Sequence, residues 1–419
     1  MTAQPMRTFA TQDVRNVAVI GHGGAGKTSL VSAMLFVAGA VNRLGKVTAG
    51  NTVTDFDPDE TDRQISIGAA CAHLEWQKNK VNVLDTPGYG AFVGEAKLAL
   101  RVADAGLVVV CGVSGVEVQT EKTWAFADEF GLPRLIVVNR LDRERADFAR
   151  ALGSIQERFG RAAVPLQIPI GKEKEFRGLI DLLDSKAYTY AADESGRFTA
   201  ADVPAEFAEL ARSERERLVE MVAESDDALM EKFFDAGELG REDLAAGIRR
   251  AVLARKLYPV LAAAATANTG THQILDALTG YLPSPVDRGE ATGRNPKQEG
   301  ETLSRRPARD DPYAAYVFKT IADPFAGRIT FFRVYSGAIR GDSQIYNVTR
   351  SETEKLGSVH FPQGKDLIAV PEIVAGDIGT VTKLKETKTG DTLADKANPI
   401  QFDAVELPPS VVTFAIEPK

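Results

Sequence analysis

The sequence predicts an α/β domain built on a mainly parallel sheet, interrupted by an α+β insertion and followed by a small β-barrel domain. Three observations support this fold class. A strand pattern, a glycine-rich turn and a helix pattern follow one another between residues 14 and 38. Apolar strand patterns then alternate with helical stretches, at 81–85, 107–112, 135–139 and 258–265. From residue 313 onward, short strands separated by turn residues indicate a β-barrel.

The length of 419 residues is too great for one core and indicates two or three domains. We predict the first domain over residues 1–288, with an inserted subdomain at about 165–255, where charged helical stretches break the alternation. Residues 289–311 are polar, with Gly, Pro and Arg, and are predicted to form an extended linker. The barrel domain is predicted over residues 312–419, with a strand that has just finished at the end of the chain.

Composition excludes several classes of protein. A net charge of −8 and a pI of about 5.3 argue against DNA binding and general nucleic-acid affinity, although a specific basic patch stays open. The sequence has no apolar run near the roughly 18 residues of a membrane span, and no signal-peptide core. The two cysteines, Cys71 and Cys111, lie in apolar surroundings and are predicted to be reduced core thiols. We therefore expect a cytoplasmic location and no membrane partner.

Residues 21–28 fit the spacing G-x-x-x-x-G-K-[ST] of a phosphate-binding loop, or P-loop. A strand before the loop and a helix after it aim backbone N–H groups and the positive helix end at one point. Lys27 is predicted to reach the outer phosphates of a nucleotide, and the Thr28 hydroxyl to bind Mg²⁺. A chance match in a glycine-rich loop is the alternative. The predicted nucleotide contacts in this region are Gly21, His22, Gly23, Gly24, Ala25, Gly26, Lys27, Thr28 and Ser29.

Two later segments complete the predicted phosphate side. Residues 39–70 form a long polar connection, which is a solvated loop or a switch that closes over the γ-phosphate. Ser66 is the hydroxyl in that segment best placed to reach Mg²⁺. Asp85 ends an alternating strand, where its carboxylate can hold Mg²⁺ directly or through water. The N–H of Gly88, in the Asp-Thr-Pro-Gly run, is predicted to sense the γ-phosphate.

The predicted base-binding side follows the strand at residues 135–139. An aspartate carboxylate can accept hydrogen bonds from N1–H and the 2-amino group of guanine, and adenine offers neither donor there. Asp142 is therefore predicted to select guanine, with Asn139 supporting the base and joining its loop to the P-loop. Arg140 lies between them and is included among the nucleotide contacts. Backbone N–H groups of Ala264 and Ala265 are predicted to lie near guanine O6.

This ordered set of motifs resembles that of the translational GTPases, with members at residues 21–28, 63–66, 85–88 and 139–142. Further motifs narrow the resemblance to the elongation factor G family, at residues 281–285, 328–337, 375–377, 389–392 and 416–419. The resemblance covers nearly the whole chain, as that family's GTPase domain with its insert and the following β-barrel. The family has three further C-terminal domains, so the sequence is expected to be a fragment.

The resemblance implies that the chain binds GTP and GDP with Mg²⁺ as cofactor. It implies the ribosome as partner, through the large subunit, ribosomal RNA and stalk proteins, and a monomeric state. The catalytic positions it implies are Lys27, Gly88 and Tyr89. Hydrolysis is expected to be slow alone and stimulated by the ribosome, with coupling to translocation or a related ribosomal step.

Several residues depart from the family pattern. Gly24 stands where members usually carry Asp, and Tyr89 stands where a His positions the attacking water. Residues 63–66 read Arg-Gln-Ile-Ser in place of Arg-Gly-Ile-Thr, Arg140 replaces Lys, and Ala264 replaces Ser. A phenol can orient water but is a poor base near neutral pH. The pattern therefore indicates a divergent paralogue.

These departures keep alternatives open. One is a GTP-sensing ribosome-binding module with very low intrinsic hydrolysis, which Gly24 and Tyr89 favour. Another is a ribosome recycling or protection factor of the same class. A P-loop ATPase is a third possibility, and Asp142 argues against it.

Overall fold

The computed structural model describes residues 9–323, 326–409 and 415. The predicted motif at 416–419, the strand end near residue 414 and the N-terminal residues 1–8 lie outside the described residues. In chain order, the first elements are β1 (Val14–Ile20), α1 (Lys27–Val37), α2 (Pro58–Arg63), β2 (Ala70–Trp76), β3 (Asn79–Asp85), α3 (Val93–Val102), β4 (Ala105–Cys111), α4 (Val118–Glu129), β5 (Arg134–Asn139), α5 (Phe148–Phe159) and β6 (Ala163–Pro165).

The middle of the chain leaves the strand–helix alternation and then returns to it. Its elements are β7 (Gln167–Ile170), β8 (Gly178–Asp181), β9 (Lys186–Tyr190), β10 (Phe198–Asp202), α6 (Ala208–Ala223), α7 (Asp227–Ala236), α8 (Arg241–Leu253), β11 (Tyr258–Ala262), α9 (Thr271–Tyr281) and α10 (Pro285–Arg288). Strands β7 to β10 form an antiparallel four-stranded sheet, in the order β10-β9-β8-β7. This sheet and the three following helices form the α+β insertion.

The main sheet has seven strands in the order β2-β3-β1-β4-β5-β11-β6. All its neighbours pair in parallel except the β2–β3 hairpin. Strands β1, β4 and β5 are buried along their whole length, which explains why their sequences are mainly apolar. The carboxyl ends of these three strands meet at one edge, and that edge carries the site described below.

The last part of the chain is antiparallel β-structure. Its elements are β12 (Ala291–Arg294), β13 (Thr302–Arg305), β14 (Ala314–Asp323), β15 (Gly327–Ser336), β16 (Ala338–Arg340), β17 (Gln344–Asn347), β18 (Glu352–Lys355), β19 (Val359–Gln363), β20 (Asp366–Val370), β21 (Glu372–Val374), β22 (Ile378–Thr382) and β23 (Thr392–Ala394). Eight of these strands form one sheet, in the order β18-β17-β23-β14-β15-β22-β19-β20, and β16 pairs with β21. The domain is barrel-like, so the predicted fold class is confirmed.

The predicted extended linker at residues 289–311 differs from the structure. Strands β12 and β13 pair there as a hairpin, and Arg294 also pairs through its backbone with Gln401 beyond the barrel. The two strands are short, and most of their side chains are polar and at least partly exposed. The apolar alternation that signals a strand is therefore missing, and the hairpin could not be recognised from the sequence.

The main-sheet domain and the barrel share a buried interface. The Lys80 ammonium donates to both carboxylate oxygens of Asp377, at 2.9 Å each, and the Asn82 amide donates to Asp377 Oδ1 at 2.8 Å. Arg333 of the barrel pairs with Asp104 at 2.6 Å. Apolar packing continues between the domains, because Tyr316 and Phe318 belong to the same cluster as residues of α3. The two domains therefore meet through both apolar and ionic contacts.

Three further observations concern single side chains and helices. Cys71 and Cys111 are buried and free among the described residues, as predicted. Trp124 of α4 stacks on Phe159 with ring centroids 3.9 Å apart, and the Trp76 indole N–H donates to Asp276 at 2.8 Å. Within the described ranges, no helix combines the length and apolar character needed to cross a membrane.

Candidate nucleotide site

The P-loop lies between β1 and α1, and two of its glycines are required by their surroundings. Gly21 has φ +139, and a Cβ there would lie 2.3 Å from the Val109 carbonyl oxygen. Gly26 has φ +91, and a Cβ there would lie 2.5 Å from the Asn139 amide nitrogen. Both positions therefore need a residue without a side chain. They bring the loop against the ends of β4 and β5.

Lys27 is buried at the start of α1, with its ammonium folded back onto the loop. Its Nζ donates to the carbonyl oxygens of Gly21 and His22, at 3.1 and 2.9 Å. Burial lowers the pKa of Lys27 to about 8, although Asp85 and Asp55 act in the opposite direction. A lysine held this way is charged at neutral pH and already oriented toward the loop.

A cavity of about 270 Å³ opens beside the P-loop. Residues of the P-loop and of the segment predicted as a switch both line this cavity. Most of the predicted site residues are among them. The predicted residues that line it are Gly23, Gly24, Gly26, Lys27, Thr28, Ser29, Ser66, Gly88, Tyr89, Arg140 and Ala265.

The predicted metal ligands come together at one end of this cavity. The hydroxyls of Thr28 and Ser66 are 3.1 Å apart, and Ser66 also donates to Asp55 Oδ1 at 2.8 Å. Asp85 accepts a hydrogen bond from the Thr54 hydroxyl at 2.7 Å through Oδ2. Its Oδ1 is buried and has no hydrogen-bond partner within the described part of the chain. The cluster therefore offers hydroxyl and carboxylate oxygens, which are the donors that Mg²⁺ prefers.

Charge at this cluster is unbalanced. Burial and the neighbouring Asp85 raise the pKa of Asp55 to about 7. Burial likewise raises the pKa of Asp85, against the opposing effect of the Thr54 hydrogen bond and of Lys27. Two buried carboxylates this close favour a neutral form unless a cation compensates them. The residues present thus fit a divalent cation, although three-residue clusters of His, Cys, Asp or Glu are absent from the described ranges.

The base side of the site is organised by the end of β5. The Asn139 amide donates to the carbonyl oxygens of Ala25 and Gly26, at 3.0 and 3.3 Å, and its Oδ1 accepts the Ala265 N–H at 3.0 Å. Asn139 therefore joins the P-loop to the loop after β11. Arg140, the next residue, has φ +64 and lines the cavity.

Asp142 lies in the same region, and one of its carboxylate oxygens can accept a further hydrogen bond. Its Oδ2 accepts the Thr266 hydroxyl at 3.3 Å, while its Oδ1 is buried without a hydrogen-bond partner among residues that the structure describes. A buried unpaired carboxylate oxygen is costly, and a ligand that donates N–H groups would satisfy it. The arrangement suits the recognition of a base edge that carries donors.

One expectation for the base side is not met. The Ala264 N–H donates to the Thr269 carbonyl oxygen at 3.1 Å, and the Ala265 N–H donates to Asn139. Both groups were expected to face guanine O6, yet both already bind acceptors inside the protein. The tight turn between β11 and α9 uses these N–H groups for its own closure. The sequence alone did not reveal that turn.

Two side chains next to the phosphate region differ in orientation. Tyr89 is 43% exposed, and a Cβ on Gly23 would lie 2.8 Å from its Cζ, so the ring covers the P-loop backbone at that residue. The His22 ring instead faces α4, where Nδ1 accepts the Gln119 N–H at 3.3 Å and Nε2 lies 3.5 Å from a Glu117 oxygen. His22 is therefore a structural part of the loop, and Tyr89 lies at the entrance to the site.

Gly88 packs directly against the P-loop. A Cβ on this residue would lie 2.3 Å from Lys27 Nζ and 2.5 Å from the Gly23 nitrogen. No other residue type fits here without displacing the loop or its lysine. The glycine of the Asp-Thr-Pro-Gly run thus lies against the P-loop and its lysine.

Three residues at the site were not predicted from the sequence. Thr54 and Asp55 belong to the cluster of predicted metal ligands, and Thr266 donates a hydrogen bond to Asp142. Helix α2 was not predicted either, and its first turn is fixed by a reciprocal Asp57–Glu60 capping box. The Asp-Pro-x-Glu run at residues 57–60 was the available signal, since a capping residue, a proline and a glutamate mark a helix start. Locating α2 would have restricted the positions open to Thr54 and Asp55.

A parallel sheet with a P-loop after its first strand, and an Asn-x-x-Asp run after a later one, defines a guanine-nucleotide-binding protein of the P-loop class. Residues 12–284 match the family described as Elongation factor Tu GTP binding domain, and residues 312–396 match Elongation factor G domain 2. The chain therefore belongs to the translational GTPases, of the elongation factor G type.

A solved structure agrees with this assignment. The crystal structure of a protein from Thermus thermophilus matches with a TM-score of 0.83 and 33% sequence identity. The match covers 95% of this chain and 57% of that protein. The present chain thus spans little more than half the length of that protein.

Proposed function

We propose that this chain binds GTP and GDP with guanine specificity set by Asp142. The observation that carries the proposal is the buried Asp142 Oδ1, which lacks a partner in the described ranges and lies beside the Asn139-tied loops. Guanine would supply the N–H donors that this oxygen lacks, and adenine would not. We also propose the P-loop residues and Arg140 as nucleotide contacts. The N–H groups of Ala264 and Ala265 bind within the protein, so we assign these two residues to the structure of the loop after β11.

The test of base choice is a competition titration against a fluorescent GDP analogue. The native chain is expected to prefer GTP over ATP and xanthosine triphosphate by at least about 100-fold, because a mispaired buried acceptor is costly. Asp142→Asn is expected to reverse the preference toward xanthosine triphosphate. Unchanged GTP preference in that variant would contradict the role of Asp142, and equal binding of ATP by the native chain would favour a P-loop ATPase.

We further propose Mg²⁺ as cofactor, with Thr28, Ser66 and Asp85 as the residues that would hold it. The support is the convergence of their oxygens and the unpaired Asp85 Oδ1. When bound, the ion would neutralise charge on the nucleotide phosphates and help to orient them. The Asp55 carboxylate would hold Ser66 in position.

The proposed reaction is attack of water on the γ-phosphate, giving GDP and phosphate. Lys27 would stabilise negative charge on the outer phosphates, and the Gly88 N–H would bind the γ-phosphate. Tyr89 would orient the attacking water through its hydroxyl, since its ring already lies over the P-loop. Positioning and charge stabilisation supply most of such catalysis, so turnover is expected to be slow without a partner.

The proposed partner is the ribosome, at the large subunit with its RNA and stalk proteins. Membership of the translational GTPases supports this, and translocation is the step that we propose, with recycling or protection as variants. We propose that the chain acts as a monomer in the cytoplasm, where its partner works. We also propose three units: residues 1–288 with the insert at about 165–255, the junction at 289–311, and the barrel from 312.

A second function is favoured by one observation. The Tyr89 ring covers Gly23, and other family members are expected to carry a water-positioning histidine at the position of Tyr89. The chain would then be a GTP-sensing ribosome-binding module with very low turnover. Single-turnover hydrolysis with and without ribosomes, with Tyr89→His run alongside, separates the two. Stimulation of the native chain supports the enzyme, and stimulation of the variant alone supports the sensor.

A further inference from the structure

A lysine of the barrel domain contacts the end of the predicted switch segment. The Lys319 ammonium donates to the Ala69 carbonyl oxygen at 2.6 Å and to Glu95 Oε2 at 2.9 Å. The same Glu95 oxygen accepts the Ala69 N–H at 2.9 Å. Both polar groups of Ala69 are therefore held, one by α3 and one by the barrel. Glu95 lies in the first turn of α3, the helix that follows the Asp-Thr-Pro-Gly run.

A β-bulge gives Lys319 its direction. In the β14–β15 pair, Val317 is opposite Phe332 and Lys319 is opposite Phe331, so Phe318 is an extra residue. Before the bulge, Val317 points into the barrel core, and strict alternation would send Lys319 there as well. The extra residue shifts the phase, so Phe318 and Lys319 both lie toward the main-sheet domain. The strand thus places a lysine in the domain interface.

The backbone between Ser66 and Ala69 is held at every residue. The Ser66 hydroxyl contacts Thr28 and Asp55. The buried Glu60 carboxylate accepts the next two N–H groups, those of Ile67 and Gly68, at 2.8 and 3.0 Å. Lys319 and Glu95 hold Ala69, the residue that follows. Ala69 is therefore linked to Ser66 through two residues, Ile67 and Gly68, that are themselves held by Glu60.

The barrel also contacts Cys71 and, on the other side of residues 54–68, Val53. The Gly364 N–H donates to the Cys71 carbonyl oxygen at 2.8 Å. Gly364 has φ +62, and a Cβ on it would lie 2.0 Å from the Val53 carbonyl oxygen. Val53 directly precedes Thr54 and Asp55, which hydrogen-bond to the predicted metal ligands Asp85 and Ser66. The turn between β19 and β20 thus packs against the start of the segment whose end Lys319 holds.

We infer that the barrel domain holds residues 54–68, the part of the predicted switch segment that carries Ser66, at both ends, and that Lys319 is a positioning residue for Ser66. The inference rests on the proposed function, because Ser66 matters only if GTP and Mg²⁺ bind there. Ordering of such a segment depends on contacts to the γ-phosphate and its ion, and GDP has no γ-phosphate. Loss of Lys319 should therefore weaken GTP binding while leaving GDP binding unchanged.

The experiment measures affinities of fluorescent GTP and GDP analogues over a range of Mg²⁺ concentrations, with the full chain. Lys319→Gln is expected to weaken GTP binding about fivefold to tenfold and to raise the Mg²⁺ concentration needed for half-maximal binding. GDP affinity is expected to stay within about twofold. Lys319→Arg, which keeps the charge and reach, is expected to restore most of the loss. Lys355→Gln is the matched control, because Lys355 is an exposed lysine of the same domain.

A second variant keeps the test independent of any folding defect in the first. Glu95→Gln should weaken GTP binding in the same selective way, and the double variant should lose less than the sum of the single losses. Equal loss of GTP and GDP affinity, or none, in Lys319→Gln and Glu95→Gln would overturn the inference alone. If the native chain binds GTP no better than ATP, the proposed function fails and the inference fails with it.

Discussion

Two buried polar clusters in this molecule each contain a buried aspartate and differ in how fully its oxygens are hydrogen-bonded. The cluster beside the P-loop, formed by Thr28, Asp55, Ser66 and Asp85, leaves Asp85 Oδ1 without a partner in the part of the chain that the structure describes. In the interface cluster, Asp377 accepts from Lys80, from Asn82 and from the Ile378 N–H. The first cluster has spare acceptor capacity, and in the second each carboxylate oxygen has at least one donor.

The difference separates a binding site from a structural joint. A satisfied buried network fixes one arrangement of the groups around it, because every alternative leaves a charge unpaired. A network with an unpaired polar atom lowers the free energy of unfolding until a ligand binds that atom. Such a network favours ligand binding and reduces the stability of the ligand-free protein. We therefore expect substitutions in the interface cluster to affect folding, and substitutions near the P-loop to affect ligand binding.

The largest expected effect comes from breaking the interface ion pair. Lys80→Met leaves the Asp377 carboxylate buried without its cation, which typically costs about 3–5 kcal/mol of unfolding free energy. Urea denaturation followed by far-UV circular dichroism measures this loss. Lys355→Met, at an exposed position, should change stability by less than about 0.5 kcal/mol. A loss below about 1 kcal/mol in Lys80→Met would mean that the pair contributes little to domain docking.

An acid-dependent loss of stability should follow from His73 in the same interface. Burial, and then the nearby Lys80, lower the pKa of His73 to about 4, and Asp377 acts in the opposite direction. The unfolded chain, with an ordinary histidine pKa of about 6.5, therefore binds a proton that the folded chain refuses. The contribution of His73 to stability should therefore fall as the pH drops through this window, by about 2 kcal/mol between pH 7 and pH 5.

The His73→Asn variant isolates that contribution. Its unfolding free energy at pH 7 can differ from the native value for packing reasons, so the comparison is between the two slopes with pH. The variant should lose about 2 kcal/mol less than the native chain between pH 7 and pH 5. Parallel slopes would show that His73 is not the group that takes up the proton.

The smallest effect on folding is expected at Asp85, in the incomplete cluster. Asp85→Asn removes a buried charge whose Oδ1 lacks a donor in the described ranges, so the ligand-free protein should keep its stability within about 1 kcal/mol. Binding of GTP in the presence of Mg²⁺ should weaken at least tenfold, or about 1.4 kcal/mol. Calorimetry without ligand and titration with ligand measure the two quantities. A large folding defect with normal binding would reverse the distinction between the clusters.

The sequence was most informative where one local rule determines the structure. The P-loop spacing, the mainly apolar β1, β4 and β5, and the Asn139–Asp142 run each carry their signal within a few residues. Local steric and burial requirements leave few alternatives at such positions, as the crowded Gly21 and Gly26 illustrate. The predicted fold class and the grouping of most site residues follow from these signals.

The sequence was least informative where contacts are long-range or polar. Hairpin β12–β13 has no apolar alternation, and it depends on pairing with Gln401, about a hundred residues later. The N–H groups of Ala264 and Ala265 are used by a turn that closes only when Thr269 and Asn139 are in place. The direction of the Lys319 side chain depends on a β-bulge at Phe318, and no residue type in this strand predicts that bulge.

The two tryptophans give the first domain an optical label that the barrel lacks. Trp124 is 8% exposed and stacked on Phe159, whereas Trp76 is partly exposed and hydrogen-bonded to Asp276. Since the sequence contains two tryptophans and both lie before residue 125, selective excitation of indole reports on that domain alone. Comparing this fluorescence with circular dichroism, which sees both domains, would show directly whether they unfold in one transition or in two.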